Sequence, residues 1–218
     1  MPMKLLCTAD LHSRSEAFGQ ILADAAAVDL ILFGGDITHF GSADDAESLV
    51  RQAEATGAAV LAVAGNCDNA EIDRRLTELG VSVNGCGWVH DGLGIHGLSG
   101  IPPWNSRMYQ FSEDELAERL AAGRLQVDAA ERRAVLAHVP PYGGRLDRVA
   151  MLKHAGSRAL REFVDRQQPE LVVCGHVHEA RGIEQFGRTT VVNCGPAAAG
   201  YYALVDFGRE VQVELCRA

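Results

Sequence analysis

The sequence of 218 residues predicts an α/β protein that forms a single domain, residues 1–218. In its first half, short apolar runs alternate with amphipathic stretches of helical period. Those runs are continuously apolar, which is typical of strands covered by other elements on both faces. Hydrophobic residues make up 47% of the chain and charged residues 22%, as in an ordinary soluble globular protein. A chain of this length can bury a substantial core without disulfides.

The first half is predicted to contain three strands, each followed by a helix. The strands are expected at residues 3–9, 30–33 and 60–64. The first helix is predicted to open at a capping box formed by Ser13 and Glu16. The second is expected over residues 42–56 and the third over 71–79, ended by Gly57 and Gly80 respectively.

The second half is predicted to be richer in strands. Short strands are expected within 81–98, at 134–137 and at 171–174, with antiparallel strands from 181 to 214. One helix is predicted from the capping box of Ser112 and Glu115 to Gly123, and another near 157–166, before Pro169. Residues 99–111 form a loop too long for a plain connection, which makes it the candidate substrate rim.

The charge and the cysteine pattern restrict location and partners. A net charge of -9 makes extended nucleic-acid binding unfavourable, although bound divalent ions would still attract a small phosphorylated substrate. The first residues, Met1 to Lys4, do not resemble a secretory signal, and no apolar run is long enough to span a membrane. The six scattered cysteines form no C-x-x-C pair. The sequence therefore predicts a cytoplasmic protein without membrane association, and it makes no prediction of oligomeric state.

Polar residues directly follow five of the predicted strands. They are Asp10, His12, Asp36, Asn66, His138, His176 and His178. Ligands of open α/β sheets bind at the carboxyl ends of the strands, so these side chains are expected to meet at one rim. Each short motif alone is common in loops, but the set of five predicts a metal site. Its nitrogen and oxygen ligands suit manganese, iron, zinc, cobalt or nickel better than calcium.

The series Asp10-x-His12, Gly-Asp36, Gly-Asn66, His138 and Gly-His176-x-His178 resembles the calcineurin-like metallophosphoesterases. The match runs from residue 10 to 178, and residues 193–196 resemble a turn often found near the end of such domains. The prolines after His138 and the pair His178-Glu179 are closer to small phosphoesterases related to bacterial cyclic-nucleotide phosphodiesterases. The resemblance implies a four-layer αββα sandwich of two mixed β-sheets flanked by helices.

The resemblance also implies a role for each ligand in a centre of two divalent ions, manganese being the first choice. Asp10, His12 and His178 would hold the first ion. Asn66, His138 and His176 would hold the second, and Asp36 would bridge both. A metal-bridging hydroxide would attack phosphorus in line, because such ions lower the pKa of bound water to roughly 7. Asp36, Asn66 and His138 are the predicted catalytic residues.

Cys67 departs from the pattern of this family. Many of its phosphodiesterases have a histidine after the asparagine, which binds phosphate or protonates the leaving group, and a thiol is a weaker donor. Cys67 is expected to be a packing residue rather than a catalytic thiol. Four histidines without a ligand role could substitute, although a surface or hydrogen-bonded histidine is the expectation for each: His39, His90, His96 and His154. His39 is the nearest to Asp36 in sequence.

Substrate contacts are predicted at Asn66 and in the loop 99–111. Trp104 and Tyr109 could stack on a base and Arg107 could pair with a phosphate, whereas packing and solvation explain Trp104 and Arg107 equally well. Arg145 and Asp147 are weaker candidates. Three functions remain open: a phosphodiesterase, which is favoured; a phosphomonoesterase or nucleotide pyrophosphohydrolase; and a metal-containing interaction scaffold with weak turnover.

Overall fold

A computed structural model describes residues 2–104, 107–149 and 153–218. The first half alternates strands and helices in the predicted order. Its elements are β1 (Met3–Thr8), α1 (Ser15–Asp24), β2 (Leu30–Gly34), α2 (Ala43–Glu54), β3 (Ala59–Val63) and α3 (Ala70–Glu78). All five residues of β2 are buried, as the continuous apolar run predicts.

The second half contains ten strands and two α-helices among the described residues. They are β4 (Gly87–His90), β5 (Leu93–Leu98), α4 (Glu113–Gln126), β6 (Arg132–Ala137), β7 (Arg148–Val149), β8 (Lys153–His154), α5 (Arg158–Gln167), β9 (Leu171–Cys174), β10 (Gly182–Phe186), β11 (Thr189–Asn193), β12 (Tyr201–Phe207) and β13 (Val211–Arg217). The chain from β10 onward forms two antiparallel pairs, β10 with β11 and β12 with β13, as predicted.

Two mixed sheets build the molecule. The first has the strand order β13-β12-β1-β2-β3, in which β1, β2 and β3 are parallel and β12 joins β1 antiparallel. The second has the order β10-β11-β9-β6-β5-β4, with a parallel centre and an antiparallel strand at each edge. The predicted class of two mixed sheets flanked by helices is confirmed.

Three apolar layers separate the four structural layers. The first packs α1, α2 and α3 on the first sheet, through side chains such as Phe18 and Phe33. The second lies between the sheets, where Leu32 of β2 and Leu136 of β6 belong to one cluster. The third packs α4 and α5 on the second sheet. Among the described residues no helix is both long and apolar enough to cross a membrane.

One of the two predicted capping boxes is confirmed, at Ser112, and the structure adds one at Ser42 that was not predicted. Ser42 and Asp45 cap α2 reciprocally, and Ser112 and Glu115 do the same for α4. The box predicted at Ser13 is wrong, because α1 begins at Ser15 after Arg14 without a side-chain cap. Ser13 has a left-handed φ of 63° and its amide donates to Ile37 O, so its backbone belongs to the loop that follows β1.

The predicted end of α4 at Gly123 is also wrong, since the helix continues to Gln126. Gly123 is buried, and a Cβ placed there would lie 2.9 Å from the Cβ of His96. The glycine therefore permits close approach of α4 to β5. A glycine required for packing looks the same in sequence as a glycine that ends a helix.

Candidate metal centre

The seven predicted ligands lie at the carboxyl ends of five strands, three in the first sheet and two in the second. Asp10 and His12 follow β1, Asp36 follows β2, and Asn66 follows β3. His138 follows β6, while His176 and His178 follow β9. Because parallel strands of both sheets end on the same side, their loops converge at one rim. Asp10, Asp36, Asn66 and His138 are buried there, and 45% of the His178 side chain is exposed.

One group of ligand atoms contains Asp10, His12 and His178, which lie within 4.8 Å of one another. His178 Nε2 is 3.3 Å from Asp10 Oδ1 and 3.5 Å from His12 Nε2. This group combines residues from two loops. Asp10 and His12 come from the loop after β1, and His178 comes from the loop after β9, so the group forms only where these loops meet in the folded chain.

A second group contains Asp10, Asp36 and His138, again within 4.8 Å of one another. Asn66 adds an oxygen, with its Oδ1 at 2.9 Å from His138 Nε2. The ring of His176 lies edge-on to that of His138, with 5.1 Å between centroids. The structure thus brings all seven predicted side chains into one cluster, in which Asp10 belongs to both groups.

Asp36 belongs to the second group and also approaches a histidine of the first group. Its Oδ2 is 3.8 Å from His12 Nε2 and its Oδ1 is 3.5 Å from His138 Nε2. The amide of Cys67 donates to Oδ1 at 2.7 Å, which fixes the carboxylate. Each oxygen of Asp36 therefore faces a histidine of a different group.

The backbone of the ligand loops is held in an uncommon conformation. Left-handed φ angles between 48° and 67° occur at Asp10, His12, Asp36 and His176. The loop after β1 is fixed to the loop after β2, because Asp10 donates its amide to Gly35 O at 3.0 Å and His12 donates to Asp36 O at 2.9 Å. Such strain at non-glycine residues clusters at functional sites, where the surrounding structure maintains it.

Glycines make room for the two carboxylates. A Cβ at Gly65 would overlap the carboxylate of Asp36, and one at Gly175 would overlap that of Asp10. The Gly-Asn and Gly-His motifs therefore owe their glycines to close packing against an acidic side chain. A centre in which backbone and carboxylates are packed this closely, with imidazoles around them, fits a transition-metal ion in its donor set.

Three histidines of the centre, His138, His176 and His12, have surroundings that suit metal binding. His138 Nδ1 lies 2.9 Å from Gly34 O, and donation to that carbonyl leaves Nε2 as the ligand atom. Burial and the charge of His138 lower the pKa of His176 to about 3, so its ring is neutral. Burial also lowers the pKa of His12, despite Asp36 and Asp10. Neutral imidazole is the form that binds a metal.

The hydrogen bond between His178 and Asp10 shifts the pKa values of both side chains. Burial opposes ionisation of Asp10, but the hydrogen bond from His178 and the nearby histidines outweigh it and lower the pKa of Asp10. The same hydrogen bond to Asp10 raises the pKa of His178. A metal ion would take the place of the proton shared between these two side chains.

Asp68 is a buried site residue that was not predicted. Its carboxylate accepts hydrogen bonds from the amides of Gly65, Ile37 and Thr38 at 2.8–3.1 Å, and from the Thr38 hydroxyl. It thereby joins the loop that carries Asn66 to the loop that carries Asp36. Burial and the charge of Asp36 raise the pKa of Asp68 to about 6. The sequence signal that could have identified Asp68 is its position two residues after Asn66, in the same loop after β3.

Cys67 and His39 lie beside the first group. Cys67 is 8% exposed, and burial together with the charge of Asp36 raises the pKa of its thiol. A thiol held protonated is a poor nucleophile, which agrees with the expected packing role. His39 is exposed, and its ring lies edge-on to that of His12 with 5.3 Å between centroids. Ligand atoms of His12, His39 and Cys67 lie within 4.8 Å of one another.

The second half of the predicted substrate loop contacts the centre, where Met108 and Tyr109 lie against Asn66. Trp104 is 61% exposed and Arg107 is exposed, whereas Asn105 and Ser106 lie outside the described residues. Tyr109 is half-buried, with its hydroxyl on Asp73 at 2.9 Å and its ring edge-on to Phe111. Roles for Trp104, Arg107 and Tyr109 in substrate binding stay predictions.

Four further residues that were considered from the sequence make contacts outside the group of seven predicted ligands: Arg145, Asp147, His90 and His154. Asp147 is fully buried and accepts from the amides of Gly143 and Gly144 and from His154, so it holds the loop after β6 rather than a substrate. Arg145 is exposed and pairs with Glu184. His90 is exposed and His154 is hydrogen-bonded, as expected.

His96 differs from the expectation of a surface or hydrogen-bonded histidine. It is fully buried, and neither ring nitrogen has a hydrogen-bond partner within the described part of the chain. Its ring packs edge-on against Phe163 of α5, with 5.3 Å between centroids. A titratable side chain is thus enclosed between β5 and the helices α4 and α5.

The turn at residues 193–196 and the short helical turn Ala197–Ala199 that follows it bind the loops that carry the predicted ligands. Asn193 Nδ2 donates to Val177 O at 2.9 Å, between the two histidines that follow β9. Ala198 donates its amide to Asp10 O at 3.1 Å. Cys194 is fully buried, which agrees with the structural role expected for it.

Comparisons with known proteins identify relatives along nearly the whole chain. The model of the calcineurin-like phosphoesterase superfamily domain matches residues 3–208. An uncharacterised protein of Methanocaldococcus jannaschii is 29% identical over 207 residues, which cover 92% of this chain and 91% of that protein. A Synechococcus protein named probable cyclic nucleotide phosphodiesterase is 31% identical over 182 residues, 78% of this chain and 65% of its own length.

A solved structure agrees with this result at the level of the fold. The crystal structure of a Thermus thermophilus protein superimposes with a TM-score of 0.78 at 20% sequence identity. The superposition covers 100% of this chain and 99% of that chain. The whole architecture therefore recurs in a protein of similar length.

Proposed function

Because the chain belongs to the calcineurin-like phosphoesterase superfamily, we propose that it is a metal-dependent hydrolase of phosphodiesters with a dinuclear centre. The ordered series of ligands from Asp10 to His178 supports the coarser assignment to a metal-dependent phosphoesterase. The finer assignment to phosphodiesters is supported by the name of the Synechococcus relative. Cyclic nucleotides are one candidate class of substrate.

The position of Asp36 carries the dinuclear part of the proposal. Its two oxygens face His12 at 3.8 Å and His138 at 3.5 Å, and these histidines belong to different ligand groups. We assign Asp10, His12 and His178 to one ion, Asn66, His138 and His176 to the other, and Asp36 to both. Asp10, which lies in both groups, would balance the charge of both ions.

Bound divalent ions would supply a water-derived nucleophile at neutral pH and neutralise charge on the phosphoryl group. Manganese is the first choice, with iron, zinc, cobalt or nickel compatible with the ligands. The protein's own residues position the substrate: Asn66 and His138 at the second ion, and the exposed Trp104 and Arg107 at the rim. A cytoplasmic location remains part of the proposal.

His39 is the candidate donor to an oxygen of the substrate. Cys67 stands where the family resemblance predicts a histidine, and its thiol stays protonated and buried. His39 is exposed within 4.8 Å of the ligand atoms of His12 and Cys67, so its ring can reach the space beside the first ion. We therefore assign hydrogen bonding to a phosphoryl or leaving-group oxygen to His39.

The variant Asp36→Asn tests the centre, because it keeps the shape of the bridging side chain and removes its charge. We expect the wild-type protein to bind two Mn²⁺ ions per chain and to hydrolyse an activated aryl phosphodiester. The variant should bind fewer ions and lose at least about 100-fold in turnover, as for loss of a principal metal ligand. Isothermal calorimetry gives the stoichiometry and a chromogenic assay gives the rate.

The control is Asp165→Asn, which removes an equal charge from an exposed ion pair with Arg161 on α5. It should change neither stoichiometry nor rate. Full metal-dependent turnover by Asp36→Asn would contradict the assignment. Faster hydrolysis of the matched aryl monoester would favour the phosphomonoesterase, and two bound ions without turnover of either ester would favour the interaction scaffold.

A further inference from the structure

Asp73 of α3 is the hub of a hydrogen-bond network beneath the candidate substrate loop. It is only 8% exposed. Its Oδ1 accepts from the Ser99 hydroxyl at 2.8 Å, and its Oδ2 accepts from Asn84 Nδ2 at 2.7 Å and from the Tyr109 hydroxyl at 2.9 Å. Three partners from separate segments thus share one buried carboxylate. Hydrogen bonds to charged groups are stronger than those between neutral groups.

One arm of this network reaches Asn66 through the loop. The amide of Tyr109 donates to Asn66 O at 3.0 Å. The preceding residue, Met108, places its Sδ 3.4 Å from Asn66 Nδ2, and Cys67 Sγ lies 3.3 Å from the same nitrogen. With its nitrogen held by two sulfur atoms, the amide of Asn66 presents Oδ1 to His138. Only the oxygen of an amide binds a metal ion, so this orientation matters for the centre.

Sulfur is a weak acceptor, so the orientation of Asn66 depends on where the backbone places Met108. The Tyr109 hydroxyl anchors that backbone segment to Asp73. Burial and the charge of Asp73 raise the pKa of Tyr109, which keeps its hydroxyl protonated and able to donate.

The other arm reaches the end of β3 directly. The Ser99 hydroxyl donates to Asp73 and accepts from the amide of Ala64 at 2.9 Å. The amide of Gly100 donates to Ala64 O at 2.8 Å. Asp73 therefore fixes the backbone two residues before Asn66 as well as the loop that follows β5.

We propose that Asp73 is a positioning residue which, through Tyr109, couples the candidate substrate loop to the predicted metal ligand Asn66. The metal side of this coupling rests on the proposed metal centre, and the substrate side rests on the proposed activity. Metal binding at Asn66 and order in the loop stabilise each other, because coupling between two sites acts equally in both directions. The same contact should therefore affect both the metal affinity and the KM.

The variant Tyr109→Phe tests the coupling. It removes the hydroxyl and keeps the ring that packs on Phe111. We expect Mn²⁺ affinity to weaken about 10-fold, as for loss of an outer partner of a metal ligand. The KM for an activated aryl phosphodiester should rise by a similar factor. At saturating Mn²⁺ the kcat should stay within about twofold, because the atoms that react are unchanged.

The matched control is Tyr202→Phe, which removes another tyrosine hydroxyl bound to a carboxylate, in this case Asp24 of α1 at 2.6 Å. It should leave Mn²⁺ affinity and KM as in the wild type. Thermal melting checks that both variants are folded. Reduced stability of Tyr109→Phe without a change in Mn²⁺ affinity would overturn the positioning role, because a merely structural bond would give that result.

The outcomes separate this proposal from the function. If the wild type binds Mn²⁺ but hydrolyses no phosphoester, the proposed activity fails, and the calorimetric comparison still decides the role of Asp73. If the wild type binds no Mn²⁺, both proposals are refuted. Equal Mn²⁺ affinity in wild type and Tyr109→Phe, with normal turnover in both, would refute the coupling alone.

Discussion

Cys67 and His39 lie beside the same group of predicted ligands but differ in burial, and this difference decides their proposed roles. From the sequence, Cys67 stands where the family resemblance predicts a histidine, and His39 is expected to be a surface or hydrogen-bonded histidine. In the structure the buried Cys67 thiol accepts from Asn66 Nδ2, while the exposed ring of His39 lies edge-on to His12. Sequence position could not reveal this, because the loops after β2 and β3 meet only in the folded chain.

Replacing His39 with alanine should lower kcat/KM for the aryl phosphodiester about 10- to 100-fold. That range corresponds to the loss of a hydrogen bond to a charged oxygen. Mn²⁺ stoichiometry should stay at the wild-type value, because His39 is outside the assigned ligand set. Steady-state kinetics and calorimetry check the two statements.

The control is His90→Ala, which removes an exposed histidine from the end of β4. It should have wild-type kinetics. If His39→Ala retains full kcat/KM, the donor role is wrong. If it loses a metal ion, His39 acts as a ligand instead.

At the scale of elements, local patterns predict a helix start or end only where the signal residue has no competing tertiary contact. The capping box at Ser112 was predicted because it needs only two residues three positions apart. Ser13 has the same pattern, but the loop that carries Asp10 and His12 takes its backbone. The end of α4 was not predictable, because the role of Gly123 depends on His96, which is distant in sequence.

Alanine at Gly123 should destabilise the protein even though it favours the helix. Alanine in place of glycine gains about 1 kcal/mol in helix propensity. The added Cβ would meet His96 Cβ at 2.9 Å and Cys86 O at 3.2 Å, and overpacking of this kind costs about 1–3 kcal/mol. We expect a net loss in the free energy of unfolding, measured by urea denaturation.

The neighbouring exposed position provides the opposite substitution. Ala122→Gly should lower the free energy of unfolding by about 1 kcal/mol through helix propensity alone. If Gly123→Ala instead raises stability by the full propensity gain, α4 does not pack on β5 as closely as described.

At the scale of the whole molecule, stability should depend on pH through a histidine remote from the centre. Burial, together with the charges of Arg124 and Arg133, lowers the pKa of His96 to about 4 from a usual value of 6.5. Between these values the unfolded chain binds a proton that the folded protein excludes. Stability from this group is therefore complete above pH 6.5 and falls as the pH falls towards 4.

We expect His96→Leu to reduce the loss of stability between pH 6.5 and pH 4 by roughly 2–3 kcal/mol. Urea denaturation of both proteins across this range, at equal Mn²⁺ concentration, measures the difference. Comparing the two proteins removes the contributions of the histidines at the centre, such as His176, which are the same in both.

His90→Leu, at an exposed histidine, should retain the wild-type slope. An unchanged slope in His96→Leu would show that His96 binds a proton as readily in the folded protein as in the unfolded chain, which would contradict its burial without a partner. A loss of stability that is equal at every pH would reflect packing only.

The sequence alone determined the order of strands and helices, the two mixed sheets through the family resemblance, and the chemical identity of seven predicted ligands. These follow from local periodicity and from motifs of two to four residues at strand ends. Only the tertiary structure decided that Asp10 belongs to both ligand groups, that Asp68 joins two ligand loops, and that Asp73 connects Asn66 to the substrate loop. Each of these depends on contacts between loops from different strands, and such contacts leave no period or spacing in the sequence.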